Sequence, residues 1–132
     1  MALTYKNCEP FLPLKDGDQA TVVKVFDGDS LTVAWKDADG QNVRLPCRLR
    51  GIDTPEIRGS STHERELALR AKDRLQLKVL GKVVTIRSPG KEKYGRVLSF
   101  LETADCASVS EYMLEDKEIC RPYKGGKKAD WD

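Results

Sequence analysis

The sequence predicts an α+β fold, a five-stranded barrel carrying two helices, from three observations. Five short segments rich in alternating or β-branched apolar residues are separated by turn signals. One long segment repeats apolar residues every four positions between a serine cap and a glycine. The chain has 132 residues, 39% hydrophobic and 33% charged, which suits one domain with one core.

Residues 1–18 lack periodicity, contain Pro10, Pro13 and Gly17, and read as an extended arm. The first strand is expected over 20–26, where Val22, Val23, Val25 and Phe26 cluster, and Asp27-Gly28 is a hairpin signal. A second strand is expected over 30–35, and a polar turn from Asp37 to Gly40 follows. The third, over 42–50, places Val43, Leu45, Cys47 and Leu49 on one face and Arg44, Arg48 and Arg50 on the other. Pro46 lacks an amide donor, so this strand is expected to be at an edge or bulged there. Ser61 and Glu64 have capping-box spacing, Leu67, Ala71, Leu75 and Val79 form a stripe, and Gly81 suits the position after a helix. Residues 82–87 and 96–102 read as the fourth and fifth strands, joined by a loop at 88–95. Ser108 and Glu111 repeat the cap spacing before a short helix over 109–115. The domain is expected to span 19–123, with a loose tail over 124–132 that carries Trp131. Such a chain fits a Greek-key barrel of the OB type.

Bulk composition narrows the function. No apolar run approaches the ~18 residues of a membrane-spanning helix. A net charge of +2 is a weak footprint for a partner of nucleic acid, so any such role must rest on local residues. Lys6, Glu9, Lys15, Asp16 and Asp18 interrupt the N-terminal segment, which therefore does not read as a signal peptide. A cytoplasmic chain is expected, or a secreted one whose signal has been removed. Cys8, Cys47, Cys106 and Cys120 allow three disulfide connectivities and match no zinc spacing, and Cys47 reads as a buried thiol. Nothing suggests obligate oligomerisation, and a monomer is expected.

Three clusters carry chemistry. Each alone is ordinary: Asp27-Gly28-Asp29 as a turn, Arg48 to Glu56 as a strand exit before Pro55, and Lys93-Tyr94-Gly95-Arg96 as a basic turn. Together they match the needs of phosphodiester hydrolysis. Asp29 and Asp53, if they converge, offer a hard cation its preferred oxygen ligands. Glu56 is a candidate general base, and Arg48 and Arg96 can fork onto phosphate oxygens. Arg48, on the face opposite Cys47 and Leu49, is expected to be able to leave the core.

The order Asp-Gly-Asp-Ser, Arg-x-x-x-x-Asp-Thr-Pro-Glu, Lys-Tyr-Gly-Arg resembles that of the micrococcal (staphylococcal) nuclease family over roughly residues 20–123. The resemblance implies an OB-fold and calcium-dependent cleavage of DNA and RNA to 3′-phosphate products. It implies Arg48, Glu56 and Arg96 as the catalytic trio and Asp29, Asp53 and the Thr54 carbonyl as calcium ligands, with Asp27 near the metal. It implies Lys93, Tyr94 and Tyr123 as substrate contacts. Three departures are visible. The segment after Glu56 is shorter than in the family's best-known member, the C-terminal third helix is absent, and Lys117 stands where the family ends a helix with glycine. The competing readings are a non-catalytic OB module that binds single strands or a protein, and a purely structural domain. Acids beside phosphate argue for the enzyme, because a pure binding surface gains nothing from repelling its ligand.

Overall fold

Strand pairing follows from the alternation. The computed structural model describes residues 2–8, 11–128 and 130–131. Pro10 of the predicted arm, Asp132 of the tail and the side chain of Tyr94 lie outside the described residues. Strands β1 (Gln19–Asp27), β2 (Ser30–Lys36) and β3 (Asn42–Leu49) form an antiparallel meander. Strands β5 (Val83–Lys91) and β6 (Val97–Glu102) pair antiparallel. β5 meets β1, and β6 meets β3 in parallel, closing a barrel in the order β1-β2-β3-β6-β5. Two short strands, β4 (Ile52–Asp53) and β7 (Arg121–Pro122), pair outside the barrel. This is the predicted OB-type barrel.

Helix α1 (Thr62–Val79) starts where Ser61 accepts a hydrogen bond from the Glu64 amide at 3.0 Å. It buries the predicted stripe of Leu67, Ala71, Leu75 and Val79, with Ala68, in the core. Gly81, at φ +79, leaves the helix in the left-handed region and donates its amide to the Val22 carbonyl at 2.8 Å. Helix α2 (Val109–Leu114) is capped by Ser108 and covers β6. No third α-helix occurs among the described residues.

Three local expectations are refined. Pro46 faces Thr32 of β2, and the pairing to β6 begins only at Cys47, so the missing amide falls where β3 is still an edge. The loop expected at 88–95 is shorter, because β5 continues to Lys91 through a register shift between Arg87 and Gly90. Ser88 supplies the turn, at φ 51, and is the one non-glycine residue with positive φ among the described residues. Lys117 is therefore not left-handed, and its replacement of glycine introduces no strain there. The described cysteines carry free thiols, with Cys47 fully buried.

Candidate functional site

The β1–β2 turn, the exit of β3 and the start of β6 meet at one end of the barrel. Gly28 makes the turn fit: a Cβ there would lie 2.6 Å from the Ala71 side chain on α1 and 3.1 Å from that of Thr54. The β2–β3 register sets Ser30 opposite Arg48, which brings Asp29 beside the arginine. Arg48 Nη1 donates to Asp29 Oδ2 at 2.9 Å, and Nη2 donates to the Ile52 carbonyl at 3.1 Å and lies 3.7 Å from Asp53 Oδ1. Ser30 Oγ donates to Asp29 Oδ1 at 3.0 Å, and the Thr54 amide reaches Asp29 Oδ2 at 3.4 Å. The expected convergence of Asp29 and Asp53 is thus present, through a shared guanidinium.

Arg48 differs from its expected setting. It lies on the strand face opposite Cys47 and Leu49, yet it is only 6% exposed. The face that alternation marks as outward is covered by the chain returning through Ile52 to Thr54 and by the Tyr123 ring, whose centroid is 5.4 Å from the guanidinium carbon. Strand alternation tells which way a side chain points, not what lies there.

Asp29 and Asp53 are 4% and 2% exposed. Two buried carboxylates against one guanidinium leave a formal excess of negative charge where water cannot solvate it. Among the described residues no group of three or more His, Cys, Asp or Glu side chains is placed to hold a metal. The oxygen-only donors and the surplus of carboxylates over guanidinium in this trio fit a hard divalent cation. Asp27 adds to the negative field. Burial raises its carboxyl above the ordinary value, with Asp29 and Glu56 adding to the rise and the Ile57 amide, 3.1 Å away, opposing it.

Glu56 stands at the rim, exposed, in the short segment before α1. Its backbone amide donates to Glu64 Oε2 at 3.2 Å, so the glutamate predicted to complete the capping box holds the Glu56 loop to the helix start. Gly59 leaves the space: a Cβ there would meet the Glu64 carboxyl carbon at 2.5 Å. The Glu56 carboxylate pairs with Lys128 Nζ at 3.0 Å.

Arg96 follows the 3-10 turn Lys93–Gly95 and pairs with Glu92. Arg48, Lys93, Arg96 and Tyr123 line one cleft of about 650 Å³. Asp29, Asp53 and Thr54 lie behind Arg48, and Glu56 is joined to the cleft through Lys128.

Sequence reasoning missed two neighbours. Cys120, buried beside Asp29 and Asp53, has its thiol pushed up to about 12, first by burial and then by those two carboxylates. Lys128 was grouped with a solvated tail, and no local pattern ties it to Glu56, 72 residues earlier.

The closed five-stranded barrel and this charged cleft define a nuclease-like or nucleic-acid-binding OB-fold domain. The chain belongs to the family of staphylococcal nuclease homologues, whose family model matches residues 46–117, just over half the chain. The match contains Arg48, Asp53, Thr54, Glu56, Lys93 and Arg96, and it leaves out Asp27, Asp29 and everything after Lys117. A search of curated proteins returns no match.

Proposed function

We propose that this protein is a calcium-dependent nuclease that hydrolyses phosphodiester bonds of DNA and RNA and leaves 3′-phosphate ends. One observation carries the reading: Arg48 joins two buried carboxylates and lines the same cleft as Arg96. Calcium bound by Asp29, Asp53 and the Thr54 carbonyl would polarise a phosphate oxygen. Glu56 accepts a proton from the attacking water as a new P–O bond forms and the P–O5′ bond breaks. Arg48 and Arg96 donate to the phosphate oxygens as charge builds on them, which requires Arg96 to turn from Glu92 and Arg48 to share its donors with the substrate. Lys93, Tyr94 and Tyr123 take nucleotide contacts, with Tyr94 assigned from the motif alone.

A second reading, a non-catalytic module that binds single strands, draws on the pairing of Arg96 with Glu92 and of Glu56 with Lys128. Plasmid and single-stranded DNA incubated with calcium, and again with chelator, separate the two. Cleavage that needs calcium is expected. Glu56→Gln is expected to lower kcat by roughly 10²–10⁴-fold with little change in substrate affinity. Substrate left intact by the calcium-loaded wild type favours the binding module.

A further inference from the structure

We propose that the C-terminal segment, Tyr123 to Lys128, is a second phosphate-binding wall of the cleft, with Lys124 and Lys128 holding backbone phosphates beside the reactive one. The proposal rests on a nucleic-acid substrate, and it adds a binding element beyond the residues that the family match covers.

Charge distribution is the first argument. The chain carries a net charge of only +2, yet the described lining of the cleft holds four cations from the barrel side and two from the tail, and they outnumber Glu92 of the lining together with Asp29, Asp53 and Glu56, which pair with them from outside it. A concave surface with this imbalance attracts a chain of phosphates. Cations contributed by two separate segments of the chain match a strand running along the cleft better than a single phosphate at one point.

The second argument is that the segment is held in place. The Tyr123 amide donates to the Gly51 carbonyl at 2.9 Å, continuing the β4–β7 pairing. Its hydroxyl donates to the Gly126 carbonyl at 2.8 Å across a turn in which Gly125 and Gly126 have φ of +98 and +83. That left-handed pair needs glycine. Beyond the lysines, Trp131 is 6% exposed and belongs to the core cluster, with the Arg121 guanidinium 4.3 Å from its ring centroid. The expected loose tail is therefore tied at both ends, and its exposed lysines are carried between two anchors.

The third argument concerns Lys128. Its ammonium lies 3.0 Å from Glu56 Oε1, with both side chains about half exposed. Exposed pairs of this kind are weak. A phosphate entering the cleft takes the ammonium and leaves that carboxylate oxygen open to water.

The test uses the full chain, wild type and Lys124→Gln/Lys128→Gln. The probe is a fluorescent phosphorothioate oligothymidylate of about 12 nucleotides, within the range that one OB-fold covers. Its affinity is measured against salt concentration, with calcium and with chelator, and thermal melts check folding. Each lost phosphate contact on a single strand lowers the slope of log K against log salt by about 0.7, so the double variant is expected to lose about 1.4. Lys127→Gln, on the same segment but outside the cleft lining, is expected to retain the wild-type slope. A double variant with the wild-type slope overturns the phosphate wall while leaving the nuclease reading intact. A wild type that binds no oligonucleotide in either condition overturns both.

Discussion

Arg48 and Arg87 each face two carboxylates, and the two clusters have the same formal charge. Arg48 meets Asp29 at 2.9 Å and Asp53 at 3.7 Å, with side-chain exposures of 8%, 6% and 3%. Arg87 meets Glu102 at 2.8 Å and Asp16 at 3.3 Å, with exposures of 44%, 35% and 60%. Water screens the second cluster, so its extra negative charge costs little, and the cluster works as a surface tie between β5, β6 and the N-terminal arm. The first cluster is desolvated, so its charges act on one another and on any ligand with little screening. Equal formal charge thus gives a screened surface fastening in one place and, on the proposed function, a binding site in the other, and burial makes the difference.

The strongest way to break this comparison is to remove both arginines in parallel. Arg48→Ala is expected to lower turnover by roughly 10²–10³-fold. It is also expected to destabilise the fold by about 3–5 kcal/mol, because it removes the guanidinium that pairs with two buried carboxylates. Arg87→Ala is expected to leave turnover unchanged and to lower the denaturation midpoint only slightly. Similar urea midpoints for the two variants would remove burial as the deciding factor.

A smaller effect sharpens it. Calcium at about 100 times its Kd is expected to stabilise the wild type by about 2.7 kcal/mol. Asp29→Asn is expected to lose most of that gain, and Asp16→Asn none of it. Differential scanning calorimetry with calcium and with chelator reads both. A calcium-induced rise in Tm that survives in Asp29→Asn would place the ion elsewhere.

The smallest effect concerns the exposed cluster and pH. The Ser88 amide, donating to Asp16 at 2.8 Å, holds that carboxyl below its ordinary value of 3.8, and Arg87 assists. A depressed folded-state pKa contributes stability that is present above 3.8 and lost as pH falls through the folded value. Asp16→Asn is therefore expected to lower Tm slightly at neutral pH, with the gap to wild type closing in acid. A gap that widens on acidification would reverse the sign of this linkage.

Legibility in the sequence follows the range of the interactions. The cap at Ser61, the stripe of α1, the glycine at 81 and the edge position of Pro46 were readable because each depends on neighbours a few residues away. So was the hairpin that carries Asp29, since Asp-Gly marks its turn. The turn at Ser88 was not, because a serine at positive φ has no local signature and is fastened by Asp16, 72 residues earlier. The same separation hides the pairing of Lys128 with Glu56.

By itself the sequence determined which residues stand at strand ends, which face of each strand and helix is apolar, and which acids and arginines are available for chemistry. Periodicity and turn residues act over one or two turns of chain and suffice for that. Tertiary structure alone decided that Arg48 is buried, that Asp29 and Asp53 share it, and that the tail returns to the cleft through Lys128 and to the core through Trp131. Desolvation depends on whatever chain arrives from far away to exclude water, and no local pattern records that arrival.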